Sequence, residues 1–204
     1  MADDHYFSSA PGSDFRPKTI RAQLSGTTYE LTTAGGVFSP DHVDQGTEVL
    51  FKYAPEPPAS GNLLDLGAGW GPISLTLALE SPESTVWAVD VNDRALDLVR
   101  LNAEALGLTN VRAVKPDEVP DDIRFDAIWS NPPIRVGKNV LHEMLLHWLP
   151  RLHDRADAYL VVQRNLGSDS LQKWLETELS DEFSVDRTAT SKGFRVLRVR
   201  RLVA

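Results

Sequence analysis

Residues 63–71 read Leu63-Leu64-Asp65-Leu66-Gly67-Ala68-Gly69-Trp70-Gly71, and the fold follows from them. A short apolar run stops at three alternating glycines, after which Pro72 opens a segment that reads as a helix. The order is therefore strand, tight turn, helix, with glycines where the backbone must turn sharply and lie close to a ligand. Working outward, Val86-Trp87-Ala88-Val89-Asp90 is a second strand, and residues 94–106 form a helix that Asn92 can cap and Gly107 can close. Further strands are predicted at residues 111–114, 125–129 and 159–162. Helices are predicted near residues 140–152 and 170–179, the latter with Ser168 as cap candidate. Strands apolar on both faces, alternating with helices, imply an α/β fold with a mostly parallel sheet covered on both sides.

The two ends of the sequence read differently. Residues 183–188 and 194–199 alternate around Ser191-Lys192-Gly193, which predicts an antiparallel hairpin at the sheet edge. Near the start, residues 19–24 and 29–33 flank the Ser25-Gly26 turn and predict a short hairpin leader. Pro55, Pro57 and Pro58 then rule out regular structure and act as a hinge-like connection. Residues 1–54 are thus expected to form a leader and residues 55–204 the core, within one structural domain.

At 204 residues the chain is long enough to bury a sizeable core, and 42% hydrophobic with 25% charged residues is an ordinary globular balance. The absence of cysteine removes disulfide frameworks, cysteine zinc sites and thiol nucleophiles. Residues 1–15 lack the pattern of a secretory signal, and no apolar run approaches the roughly 20 residues that span a bilayer. A cytoplasmic protein without a membrane partner is the expectation. The net charge of -8 argues against tight non-specific binding to nucleic acid. Yet Arg187, Lys192, Arg195, Arg198, Arg200 and Arg201 form an acid-free stretch, as do Arg16, Lys18 and Arg21. Solvated strand faces are the favoured reading of these cations, a partner-binding patch the competing one. His142 and His147 are five apart and do not share a helix face as a metal pair would, so no metal is expected.

Asp90 ends the second strand, where an acid in Rossmann-like folds accepts the two hydroxyls of a ribose. A dinucleotide fingerprint begun at Gly67 would need glycine at position 72, which is Pro72. The register G-x-G-x-G after an aspartate instead resembles motif one of the class I methyltransferases. That resemblance implies S-adenosylmethionine as cofactor. Asp65 would repel a pyrophosphate but suits a ligand bearing an ammonium and a sulfonium, although it can also cap the turn that follows it. Gly67, Ala68 and Gly69, then Asp90 with Val91, are the expected contacts. Asp117, after the third strand, is either a residue near the adenine or part of an acidic solvated loop.

At the end of the fourth core strand stands Asn131-Pro132-Pro133-Ile134, a stiff turn at the ligand-binding edge. The Asn131 carboxamide oxygen and the Pro132 carbonyl can both accept hydrogens from one amino group. An exocyclic or amide nitrogen is a poor nucleophile because its lone pair is delocalised, and such bonds favour the tetrahedral geometry of the transition state. Asn131, Pro132 and Pro133 are the expected catalytic set.

Together, these motifs and the segments Gly36-Val37-Phe38-Ser39 and Val43-Asp44-Gln45-Gly46-Thr47 resemble the methyltransferase small domain family, over about residues 36–200. The resemblance implies a class I sandwich with a seven-stranded sheet. It also implies a loop around Phe38, Ser39, Gly46 and Thr47 lying over the cofactor, and Asn131 among the cofactor contacts. Without it, Phe38 reads as a core aromatic and Thr47 as a helix cap. The family includes ribosomal RNA guanine methyltransferases, so ribosomal RNA is the implied partner and guanine the implied base. Two features depart from that pattern: Ile134 stands where an aromatic usually follows the prolines, and a short hairpin is expected where the long ribosomal enzymes carry a duplicated domain. Ile134, Arg135 and Lys138 are then the candidate substrate contacts. The alternatives are a methyltransferase for a protein amide or small-molecule nitrogen, and a cofactor-binding module without catalysis.

Overall fold

The computed structural model describes residues 15–203, so the polar opening stretch and the reading made of it lie outside the described residues. Strands β1 (Pro17–Leu24) and β2 (Thr27–Ala34) form the expected hairpin. Ser25 and Gly26 both take positive φ, 47° and 77°, which lets a two-residue turn follow the strand twist. Next comes α1 (Gln45–Tyr53), which has no counterpart among the predicted elements, and then the irregular proline stretch. The core proceeds through β3 (Ser60–Leu66), α2 (Pro72–Glu80), β4 (Glu83–Val89), α3 (Asp93–Ala105), β5 (Val111–Val114), β6 (Phe125–Ser130) and α4 (Lys138–Trp148). It ends with β7 (Leu152–Gln163), α5 (Ser168–Glu178), β8 (Phe183–Ser191) and β9 (Phe194–Arg201).

These strands make one seven-stranded sheet in the order β5-β4-β3-β6-β7-β9-β8. The first five in that list pair in parallel; β9 runs antiparallel to both β7 and β8, and a register shift between Arg187 and Ala189 bends the outermost strand. The class I methyltransferase sandwich is thus present, with its antiparallel edge hairpin. Alternation along the strands sorts the core into two layers. Leu64, Leu66, Ile128, Leu160 and Val162 pack with Leu141, Leu145 and Trp148 of α4 and Leu171 and Leu175 of α5. Leu63, Ala127, Trp129, Tyr159 and Val161 pack with Val49 and Leu50 of α1 and Ile73 and Leu77 of α2. The β1–β2 hairpin covers the outer side of α2 and α3 through Leu24, Leu31, Leu75 and Leu98. Helix α2 is therefore buried all round, and each fully buried leucine, such as Leu75 and Leu77, contributes roughly 1.5–3 kcal/mol.

Helix boundaries follow local chemistry. The Asn92 side chain accepts from Arg94 N and Ala95 N, as expected of the cap of α3. Gly107 N bonds Glu104 O while Leu108 N bonds Ala103 O, which closes that helix with a left-handed glycine at φ 68°. Two expectations need correction. The helix near residues 140–152 stops at Trp148 because Pro150 cannot continue it, and a 3-10 turn (Leu149–Arg151) leads into β7. Ser168 is the first residue of α5 and not its cap, which is Gly167 at φ 95°.

One buried asparagine ties the hairpin to the core. Asn102 of α3 accepts from Thr32 N at 2.7 Å and donates to Thr32 O at 2.9 Å and to Trp70 O at 3.1 Å. It pairs with β2 as a neighbouring strand would, and holds the glycine turn at the same point.

Asp65 is fully buried at the end of β3, and its Oδ2 accepts from Ser74 N at 2.8 Å and from the Ser74 hydroxyl. It thereby caps α2, whose own cap position is Gly71. Burial raises its pKa from the ordinary 3.8 to about 7, against the lowering effect of the two Ser74 bonds and with the help of nearby Asp90. Between pH 4 and 7 the folded chain therefore holds a proton that the unfolded chain has lost, and stability falls as pH rises through that window. Asp65→Asn, which keeps an acceptor oxygen for Ser74, should remove this slope. Urea titrations should show the variant gaining on the wild type by up to about 4 kcal/mol between pH 4 and 8; a pH-independent difference would contradict the assignment. Gly71→Ala should cost roughly 1–3 kcal/mol by the same measurement, because φ is 102° and the new Cβ would sit 3.2 Å from Val99 Cγ2.

Candidate active site

Strand order reverses between β3 and β6, so the loops leaving them diverge to opposite sides of the sheet and open a crevice at their carboxyl ends. A cavity of about 680 Å³ lies there. Phe38, Gly67, Gly69, Asp90, Val91, Asp117 and Asn131 line it, as do Pro132, Pro133 and Ile134. Ser39, Gly46, Thr47, Asp65, Ala68 and Lys138 do not line it. Arg135 lies in the 3-10 turn (Ile134–Val136) that leads to α4; its side chain is not among those described. Phe38 is 41% exposed, so it is not a core aromatic.

The floor on the β3–β4 side is backbone held by one carboxylate. Gly67 N and Ala68 N donate to Val89 O, and Gly67 and Gly69 take φ of 81° and 56°. Gly69 N donates to Asp90 Oδ2 and Asn92 N to Asp90 Oδ1, each at 2.9 Å. Burial raises the Asp90 pKa, while the bonds from Asn92, Gly69 and Val91 lower it in part. The carboxylate held by these bonds lines the cavity. The loop of residues 35–39 is fixed above this floor, since Asn92 Nδ2 donates to Gly36 O and Trp70 Nε1 to Ser39 O. Asp117 occupies the short 3-10 turn (Pro116–Glu118) after β5.

The β6 side is built around Asn131. Asp65 pairs with Trp129, so Gly67 and Asn131 emerge side by side, and Ser130 Oγ donates to Leu66 O at 2.6 Å. The Asn131 amide nitrogen donates to Asp44 Oδ2 at 2.8 Å and to Thr47 Oγ1 at 3.1 Å. Its oxygen accepts no hydrogen bond from the described residues, and Asn131 lines the cavity. Asp44, absent from the expected site residues, lines the cavity and caps α1 by accepting from Gly46 N at 2.7 Å; Thr47 is therefore not the cap. Gly46 is needed for space: a Cβ there would lie 2.8 Å from Asp44 Oδ2 and 2.9 Å from Phe194 Cε1. Pro133, at φ -75° and ψ 73°, centres an inverse γ-turn in which Ile134 N donates to Pro132 O at 2.8 Å. The Pro132 carbonyl thus has one lone pair engaged and one available.

The far wall comes from α4. Val140, Glu143, Met144 and His147 share one face of that helix and line the cavity, with Gln163 and Leu166 beyond them. Helical spacing from Val140 was the available signal for this wall. His142 points elsewhere, stacking on Trp174 with ring centroids 3.4 Å apart. Among the described residues the wall carries the carboxylates of Asp44, Asp90, Asp117, Asp121 and Glu143 and no lysine or arginine. The terminal cations are paired: Arg187 and Arg195 with Asp169, Lys192 with Glu48, Arg198 with Asp186, Arg200 with Asp157, and Arg201 with Asp154 and Glu182. Strand faces with carboxylate partners from other elements account for the basic stretch.

Comparison with known proteins agrees with this architecture. The chain is 35% identical over 202 residues to the uncharacterized protein YbxB of Bacillus subtilis (strain 168), covering 98% of this chain and 99% of that one. Its fold is similar to the T. thermophilus 16S rRNA N2 G1207 methyltransferase (RsmC), solved in complex with AdoMet and guanosine. That match has a TM-score of 0.76 and 23% identity and covers 94% of this chain and 52% of the other, so the chain spans about half of that enzyme's length. A putative methyltransferase from Streptococcus mutans, SMU.1697c, solved in complex with SAH, matches with a TM-score of 0.57 at 15% identity, covering 78% of this chain and 99% of that one. The sequence model of the methyltransferase small domain matches residues 28–198, most of the chain. The chain belongs to the methyltransferase small domain family.

Proposed function

We propose that this protein is a cytoplasmic, S-adenosylmethionine-dependent methyltransferase acting on an exocyclic amino nitrogen of guanine in ribosomal RNA. The observation that carries the reading is the Asn131 carboxamide, its nitrogen bonded to Asp44 and Thr47 and its oxygen without a partner among the described residues, in a cavity shared with Gly67, Gly69 and Asp90. The T. thermophilus enzyme of the same fold, solved with AdoMet and guanosine, supports the choice of base.

The residues present fit the cofactor. Asp90 lines the cavity with a carboxylate, the acceptor type that ribose hydroxyls need, and Asp117 lines the same cavity for the adenine. Asp65 lies behind the glycine turn and does not line the cavity, so it serves the cofactor only by holding α2 through Ser74. Phe38 and Val91, both exposed on the wall, offer apolar cover. When bound, the cofactor supplies an electrophilic methyl group on a sulfonium.

Asn131 Oδ1 and the free lone pair of Pro132 O accept the two hydrogens of the target amino group. They hold the nitrogen lone pair out of conjugation with the ring, toward the methyl donor. No strong base is needed, because the proton is lost after the nitrogen has gained positive charge, and positioning supplies much of the acceleration. Ile134, on the wall, packs against the base, and Lys138, the first residue of α4, meets the RNA backbone. A second reading, an acceptor nitrogen in a protein or small molecule, is favoured by the acidic wall and the paired terminal arginines.

Labelled methyl transfer from S-adenosylmethionine into cell extracts separated into RNA, protein and small molecules tests both. Label in ribosomal RNA is expected; label confined to the other fractions would replace the first reading with the second. Asn131→Ala should lower turnover on the order of 10²–10³-fold with cofactor affinity nearly unchanged. Asp90→Ala should instead weaken cofactor binding, measured by calorimetry, by roughly 10- to 100-fold.

A further inference from the structure

We infer that Asp44 and Thr47 are positioning residues for the methyl-transfer step, acting through the Asn131 carboxamide. The resemblance assigns the segment around Gly46 and Thr47 to the cofactor; the contacts point to a different task, and this inference rests on the catalytic role proposed for Asn131. Both hydrogens of the Asn131 amide are taken by α1, one by Asp44 Oδ2 at 2.8 Å and one by Thr47 Oγ1 at 3.1 Å. An amide whose nitrogen donates twice has its orientation decided, so only the oxygen can meet the acceptor.

The choice of a carboxylate is chemical as well as geometric. A negative acceptor on the amide nitrogen favours the resonance form with charge on oxygen, which makes Oδ1 a stronger hydrogen-bond acceptor, and bonds in such chains reinforce one another. Three features hold Asp44 in place: the bond from Gly46 N, the absence of a side chain at Gly46, and the Phe194 ring packed where that side chain would stand. Thr47 is 5% exposed, so its hydroxyl has little competition from water. Val49 and Leu50 anchor the same helix on β7 and β9. The path from α1 to the reacting nitrogen is thus one side chain long, through Asn131 alone.

Asp44→Ser keeps an oxygen that can cap α1 but removes the charge and the reach; Asp44→Asn keeps the reach and loses only the charge. Two measurements test the role. In 15N-1H spectra, the Asn131 side-chain amide pair, identified by its loss in Asn131→Ala, should be slow to exchange in the wild type and fast in Asp44→Ser. In the methyl-transfer assay, Asp44→Ser should lower kcat on the order of 10²-fold with cofactor affinity unchanged, Asp44→Asn should recover part of the loss, and Asp44→Ser should have no further effect in Asn131→Ala. Equal amide exchange in wild type and Asp44→Ser would overturn the inference, as would an additive loss in the Asn131→Ala background or a drop in cofactor affinity matching the drop in rate. Full activity in Asn131→Ala itself would remove the proposed chemistry and this role together. Reduced activity there with an additive Asp44→Ser effect removes this role alone.

Discussion

The parallel pairing of β3 with β6 sets Asp65 opposite Trp129 and brings the glycine turn and Asn131 out of the sheet side by side. Because β4 and β5 continue on one side of β3 and β7 on the other, the connections that follow are carried apart, and the space between them cannot be filled by the chain itself. The cavity is a consequence of strand order. What remains for individual residues is to keep its walls from collapsing. Asp90 does so by holding Gly69 and Asn92 with separate oxygens, and Ser130 by bonding across to Leu66.

The molecule then uses buried polar groups to connect pieces that hydrophobic packing would leave free to slide. Asn102 fastens the hairpin to α3, Asn131 fastens α1 to the end of β6, and Asp65 fastens α2 to the end of β3. The first two join a helix to a segment distant in sequence, and the third fixes a helix to the strand that precedes it. Removing either partner would leave a buried donor or acceptor unpaired, which costs more than the net strength of the bond it made.

This pattern explains which parts could be read from the residues in order. The glycine turn, Asp90, the Asn92 cap and the Gly107 stop are local: the chemistry that explains each lies within a few positions. Asp44 was missed because the group that gives it meaning, Asn131, is far along the chain, and Asp44 taken locally is only one polar residue in a loop. The terminal cations are open to a patch reading for the same reason, since Asp157, Asp169 and Glu48 reach Arg200, Arg195 and Lys192 from β7, α5 and α1. Helix α1 escaped notice because its apolar stripe is short. It faces the sheet through Val49 and Leu50 while Gln45, Glu48 and Lys52 meet solvent. Ser168 was a plausible cap by residue type, but the positive φ of Gly167 moved the start of α5 by one position.

The two ends of the sheet differ in a way that bears on how copies of the chain behave beside one another. On one side the last strand, β5, is only 4 residues long and offers little to a partner strand. On the other, β8 presents Asp186 and Arg187 in succession, and its ladder to β9 slips between Arg187 and Ala189. A slipped, charged strand makes a poor template for continuing the sheet into a second molecule. The open borders of this α/β sandwich thus carry their own protection against edge-to-edge aggregation, in residues that take no part in the cavity.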